Sequence, residues 1–335
     1  MDFSLTSDQL DLQDSFGRLF AEHSTSAEVR EAEPIGFSAD LWHRLVDVGV
    51  PTIGMRSESG DAAASLTQLI VIAEEYGRRL APVPLIETLV TARALDRFDV
   101  HLPAGICTIA LQPVAADGNA PLLAAGAVSE SVVALVHDTL VLADLQGNGL
   151  ENYVSNLGSS PLANRLLGPS RTVLAEGEAA GVAFDRALDD WKLLVSAALI
   201  GVSAEAHRMT VEYVKDRRAF GVPIGWFQTV AHRLADAINE LDGARLLIHK
   251  AAWAIDTGDQ AAARLASMSY AYAMALSERV TAECLHFHGG IGYTREHDIQ
   301  LYFRRATCWP LALGDPRAEL NQVAERIFAS VERGA

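Results

Sequence analysis

A mainly α-helical fold with a small β domain in its middle is what this sequence predicts. Three observations carry that expectation. Residues 1–100 place apolar side chains at helical spacing between recognisable start and stop signals. Residues 101–180 change to short segments rich in β-branched residues, with Gly, Asn, Asp and Ser clustered between them. Residues 181–335 return to helical patterns, some longer than about 25 residues, a length that suggests a bundle whose helices cover one another's faces. The predicted order is an N-terminal helical domain, a reduced β domain and a C-terminal helical bundle.

Thr6 followed by Gln9 fits a capping box that opens the first helix, and Leu10, Phe16, Leu19 and Phe20 follow at roughly helical spacing. A second helix centres on "FSADLWHRLVDVGV", with Gly49 and Pro51 as stop signals. A third, "SLTQLIVIAEEYGRRL", has apolar residues at Leu66, Leu69, Ile70 and Ala73 and stops before "APVP". In the middle region "CTIALQPV", "SVVALV", "LVLADL" and "RTVLAE" read as strands, and "VVALVHDTLVLADL" reads as a hairpin turning near His137-Asp138. From about residue 186, "DDWKLLVSAALIGVSAEAHRMTVEYVKDRR" reads as one long helix. Further helices run from about Phe227 to Asp256 and from about Gln260 to His288, the latter rich in Ala, and a last one lies near residues 316–332. No short-period repeat is visible.

Bulk properties narrow the function. The chain has 335 residues, enough for two or three packed units, and half of them are hydrophobic. Its net charge is −16 and it has no concentrated basic stripe, which argues against nucleic acid or a membrane surface as a partner. A bound anion must be held by local arginines or backbone N–H groups. Cys107, Cys284 and Cys308 lie far apart and form neither a disulfide framework nor a zinc pattern, so no metal site is expected. The start, "MDFSLTSDQL", is acidic and polar, unlike a signal peptide, and the longest apolar run is too short to span a bilayer. A soluble, cytoplasmic protein is expected.

Two stretches carry chemistry. In "RRAFGVPIGWFQ", residues 217–228, Arg217 and Arg218 sit at a helix C-terminus, where the dipole favours cations. Phe220-Gly221 turns the chain, Pro223 stops helical continuation, and Gln228 begins the next helix. A guanidinium that forks onto phosphate, a ring that stacks on a base and an amide could together hold a dinucleotide. The plainer alternative is a helix cap with a structural turn. In "HFHGGIGYTREHDIQLYFRR", residues 286–305, the pair Gly289-Gly290 lets a ligand approach backbone N–H groups closely. Here the plainer alternative is a C-cap, and no strand leads into the block as a Rossmann fingerprint requires.

In this order and at this separation the two blocks resemble the acyl-CoA dehydrogenase family. "RRAFGVPIGWFQ" is similar to its Arg-x-x-Phe-Gly-x-Pro-Ile-x-x-Phe-Gln block, and "HGGIGYTREHDIQLYFRRA" to its Gly-Gly-x-Gly-Tyr/Phe-Thr block. "EEYGRRLAPVPL", residues 74–85, also resembles the N-terminal domain of shorter members. The resemblance implies oxidation of the Cα–Cβ bond of an acyl-CoA thioester, with a glutamate taking the α-proton and FAD taking the β-hydride. It also implies an FAD that crosses a subunit interface. Arg217 would then meet the pyrophosphate, Phe220 and Gln228 would line the adenosine end, and the backbone from His286 to Gly290 would close over it. The family usually has Gln where this chain has His286.

The catalytic side departs from the family pattern. One usual place for the base, nine residues after Arg304, holds Leu313, and the other, twenty-six residues before Arg217, holds Trp191. Neither can accept a proton. Asp190 is adjacent to Trp191, but one helical step rotates a side chain by about 100°. Asp315 and Glu296 are further carboxylates nearby in sequence, and Asp190 is the best relocated candidate of the three. The family's flavin-contacting Thr-Glu-Pro-x-x-Gly-Ser run is reduced to "LQPVAADGN", residues 111–119, which keeps a proline and little else. The expectation is a partner subunit of a heteromeric acyl-CoA dehydrogenase of the kind known in bacterial steroid catabolism. A longer companion chain would supply the glutamate and flavin-side domain, in an α2β2 assembly. The alternatives are a self-sufficient homo-oligomer with a relocated base at Asp190 or Asp315, and a helical scaffold that binds no flavin.

Overall fold

The computed structural model describes residues 3–57 and 62–332. Five helices come first: α1 (Ser7–His23), α2 (Ser26–Ala32), α3 (Ala39–Asp47), α4 (Leu66–Arg78) and α5 (Leu85–Asp96). The expected capping box is present at Thr6 and Gln9, and a second one, at Thr25 and Glu28, opens the short α2. Gly49 ends α3 in the left-handed conformation. The helix α5 was not anticipated. Most of its residues are buried, so it shows no amphipathic period to read.

A five-stranded sheet follows: β1 (Cys107–Ile109), β2 (Asn119–Leu123), β3 (Ser131–Val136), β4 (Thr139–Gln146) and β5 (Ala163–Glu176). Spatial order is β1-β3-β4-β5-β2, with β1 parallel to β3 and the other pairs antiparallel. The β3–β4 hairpin turns at His137-Asp138 as expected, with His137 at φ 56°. The first strand is shorter than the sequence suggests. It ends at Ile109, and Val114 makes only a single bridge to Val136.

The long helix α6 (Gly177–Asp216) runs for 40 residues and starts about nine residues earlier than its sequence pattern indicates. Two glycines in its first turns weaken the local helical signal, whereas Ala180, Phe184 and Ala187 bury one face and hold it. A two-residue hairpin, β6 (Arg218–Ala219) and β7 (Val222–Pro223), joins it to α7 (Gln228–Thr257). Then come α8 (Ala262–Phe287), α9 (Ile299–Cys308) and α10 (Pro316–Glu332). The family resemblance's mainly helical architecture with a small sheet is therefore the observed one. Among the described residues no helix is long and apolar enough to cross a membrane.

The main core joins helices from both ends of the chain with one face of the sheet, through Leu69, Leu89, Val133, Leu199 and Leu241 among others. At its centre α4 and α6 lie backbone to backbone. A Cβ on Gly77 would stand 1.9 Å from the Ala198 carbonyl oxygen, and one on Gly201 would stand 1.9 Å from the Glu74 carbonyl oxygen. Glu74 then receives Arg78 from its own helix and Arg245 from α7. Because neither backbone can give way cheaply, G201A is expected to destabilise the protein by about 3 kcal/mol, the upper end of overpacking costs. Denaturant unfolding of the variant against the wild type measures it.

Candidate functional site

The Arg217 turn is built by local constraints. The Arg217 N–H donates to the Tyr213 carbonyl at 2.9 Å, closing α6, and its own carbonyl accepts the Ile224 N–H at 2.8 Å, closing the hairpin. The two residues between β6 and β7, Phe220 and Gly221, have φ of 53° and 84°. Positive φ at both positions is what a type I′ hairpin turn requires. Gly221 meets that at no cost, but an aromatic residue there carries strain. The Phe220 ring is 94% exposed and touches Phe227 edge to face, and Trp226 beside it is 74% exposed. Gln228 is the first residue of α7, as expected. Arg217 and Gln228 are exposed, and among the described residues no hydrogen bond or ion pair engages the Arg217 side chain.

The glycine block lies at the end of α8. His288 caps that helix, Gly289 takes φ 63°, and residues 289–293 form a 3-10 turn. His286, Gly289 and Gly290 are exposed, whereas His288 is buried. The Tyr213 hydroxyl donates to the His288 carbonyl at 3.3 Å, and the two rings stack with centroids 4.3 Å apart. Tyr213 thus links the two motifs, one with an exposed Arg217 and the other with exposed glycine backbone. That arrangement suits an anion such as a pyrophosphate, with Phe220 available to stack.

Deeper along α6, the surroundings of Trp191 are closed. Trp191 is buried and its indole N–H points to a Glu87 carboxylate oxygen at 3.5 Å. Both line a cavity of about 60 Å³, together with Tyr76, Val195, Trp309 and Ala312. Glu87 keeps some accessible surface, but that surface faces the cavity. Burial therefore holds its pKa above the ordinary carboxylate value, opposed by the backbone and Trp191 hydrogen bonds. Sequence reading overlooked Glu87. Its one signal is a lone carboxylate in the apolar run "PVPLIETLV". Asp190 is fully buried, and its Oδ2 is held by Arg93 at 3.1 Å and Arg97 at 2.6 Å. It lines neither this cavity nor the cleft described next. Asp315 and Glu296 are exposed.

A larger cleft of about 550 Å³ opens between the sheet and the turn after α9. Leu111, Val114, Leu122, Leu123 and Leu311 line it, and its polar wall residues are Gln112, Asn156, Ser160 and Cys308. Residues 111–119, expected on the flavin side, contribute one proline and no hydroxyl. Leu313 turns its side chain onto the main core, and its carbonyl accepts the Gln112 amide. The cleft has no cation and no run of hydroxyls to grip a flavin and its phosphates. The fit to FAD is thus good at the Arg217 edge and poor on this chain's own sheet.

Known proteins define the class. Residues 181–328 match the model of the acyl-CoA dehydrogenase C-terminal domain. The acyl-CoA dehydrogenase IpdE2 of Mycolicibacterium smegmatis is 32% identical over 327 residues, covering 95% of this chain and 98% of its own. The chain belongs to the acyl-CoA dehydrogenase family of oxidoreductases. A variant of the Tcur3481–Tcur3483 steroid ACAD superposes with a TM-score of 0.83 at 25% identity, covering 97% of this chain and 99% of that one. The ChsE4–ChsE5 complex of Mycobacterium tuberculosis shares the fold with a TM-score of 0.85 at 23% identity, over 98% of this chain and 99% of that one.

Two outcomes follow from the closed end. A raised Glu87 pKa means that the native state holds this proton where the unfolded chain has lost it. Stability on this account is complete below the ordinary value of 4.5 and falls as pH rises through the folded value. E87Q should therefore flatten the fall of melting temperature with rising pH, read by thermal scans across the acid-to-neutral range. D190N should cost about 3 kcal/mol by leaving two guanidinium groups with a weakened partner, as unfolding curves would report.

Proposed function

We propose that this chain is the non-catalytic subunit of a heteromeric FAD-dependent acyl-CoA dehydrogenase, and that it completes the cofactor site of a longer companion. The observation that carries the reading is the contrast between the C-terminal edge of α6 and the closed pocket at Trp191, deeper along the same helix. At the edge Arg217, Phe220, Gln228 and Gly289-Gly290 are exposed and available. At the pocket, Trp191 and the nearby Leu313 stand at the base positions, and about 60 Å³ remains beside Trp191, too little for a bulky acyl group. The rise from Trp191 to Arg217 is about 39 Å along one rigid helix, longer than an extended dinucleotide cofactor. The Trp191 pocket and the Arg217 edge of one chain cannot share a single FAD, so the open edge serves a flavin seated in another subunit.

In this role Arg217 forks onto the pyrophosphate, and the backbone of residues 286–290 closes over it. Phe220 and Gln228 line the adenosine end. FAD, when bound, supplies the hydride acceptor for Cα–Cβ desaturation, and the companion supplies the base. The Tcur3481–Tcur3483 steroid ACAD, a chain pair 25% identical to this chain, supports a steroid-derived thioester as substrate and a heteromeric assembly, whose stoichiometry we propose to be α2β2.

A second reading, a self-sufficient homo-oligomer with a relocated base, draws on one observation: Glu87 places a protonatable carboxyl against Trp191. It predicts turnover by the lone chain. Under the first reading the lone chain neither retains FAD nor turns over, and the co-expressed complex holds half the flavin of a homotetramer. R217A in that complex should weaken FAD binding by about ten- to a hundredfold, the worth of a charge-assisted contact. Flavin absorbance and dehydrogenase assays on the chain alone and with its companion decide. Full loading and turnover by the lone chain would overturn the first reading, and a colourless complex would favour a scaffold without flavin.

A further inference from the structure

Tyr213 touches both halves of the open edge. Its carbonyl accepts the Arg217 N–H, its hydroxyl donates to the His288 carbonyl, and its ring stacks on His288 at an interplanar angle of 25°. The His288 ring is itself fixed, with Nδ1 2.8 Å from the Cys284 carbonyl, so that this nitrogen carries the proton. His297 closes the group, its ring edge-on to His288 with centroids 4.6 Å apart. Its Nδ1 accepts the Ile299 N–H at 3.1 Å, which requires that nitrogen to be unprotonated. Arg30 of α2 anchors the neighbouring loop through Asp298 and the Arg295 and Glu296 carbonyls.

We propose that Tyr213 and His288 are positioning residues of the cofactor half-site: the stacked pair holds the Gly289-Gly290 backbone beside Arg217, so that both grip one anion together. The inference rests on the function proposed above. It goes further by naming the residues that preorganise the grip and by giving it a pH dependence.

The groups facing the two imidazoles are Tyr213 from α6, Cys284 from α8, Asp298 from the loop and Arg30 from α2. Burial pushes the His288 pKa down, the Cys284 carbonyl opposes this, and His297 adds to it. Burial also lowers His297, against Asp298 and with Arg30. The assembled edge therefore favours neutral rings. Its stability is complete above the ordinary imidazole value of 6.5 and is lost as pH falls through the lower folded values.

The test uses the co-expressed complex and reads FAD affinity against pH. Y213L should weaken FAD about tenfold, the scale of one aromatic pair, while assembly is unchanged. Y213F keeps the stack and should stay within about threefold. H288F keeps a stacked ring without a titrating one, so it should retain FAD at neutral pH and lose less of it than the wild type on acidification. Wild-type affinity in Y213L, in a complex where R217A releases FAD, would overturn the positioning role. So would an H288F pH profile identical to the wild type's, and that profile decides the matter alone should Y213L fail to assemble. If R217A leaves FAD binding unchanged, the half-site reading falls and this inference falls with it.

Discussion

The close crossing of α4 and α6 is the contact on which the molecule depends. Gly77 and Gly201 each face a carbonyl of the other helix, so the two backbones touch where side chains would ordinarily intervene. That contact fixes α6 near its middle. A rigid helix held there has its whole length placed, and two points on it matter here: Trp191 in the core and Arg217, exposed just past the C-terminal end. Glu74, on the α4 side of the crossing, is shared by Arg78 and Arg245, so α7 is bound to the same point. The positions of Gln228 and Arg217 are thus set by one packing event.

Rotation of α6 about its axis is constrained by charge. Asp189 pairs with Arg326, Asp190 with Arg93 and Arg97, and Lys192 with Glu319, all within one turn. Such buried pairs gain little net stability over apolar packing, because desolvation offsets their attraction, but breaking one is costly. Their consequence here is orientation. With Asp190 and its neighbours committed to these partners, Trp191 faces Glu87 and the small cavity. The placing of the Glu87 carboxyl against Trp191 is therefore accounted for by the register of the helix alone.

Helices with an exposed face were legible in the sequence, because half-burial writes a period into it. Thr6 and Gln9, Gly49, and the start of α7 at Gln228 all fell where cap and stop signals put them. What escaped was either buried nearly all round or, like the short α2 and α9, too brief to write a clear period. The helix α5 has no polar face to reveal it, and the first turns of α6 hide behind two glycines. The same logic holds at the site. Arg217, Phe220 and the glycine pair sit on contiguous motifs that could be read directly. The pairing of Glu87 with Trp191 joins residues 104 positions apart, and that of Tyr213 with His288 joins residues 75 apart. Neither is written in local spacing.

The distribution of satisfied and unsatisfied groups separates what this chain completes alone from what it leaves for another. A glutamate at position 191 would be a desolvated charge set against the Glu87 carboxyl. An indole at 191 fills that volume and lends one N–H to Glu87, so the closed end is complete within the chain. The open end is the reverse. Phe220 holds a left-handed conformation that costs an aromatic residue about 1–2 kcal/mol, and it presents its ring to water. Among the described residues Arg217 has no side-chain partner, although its helix ends beside acidic side chains. Strain and unpaired charge on one surface are what a binding edge stores before its ligand arrives. The rise of α6 from Trp191 sets that edge about 39 Å away from the closed cavity, so strain and free charge gather where this chain's own core does not reach.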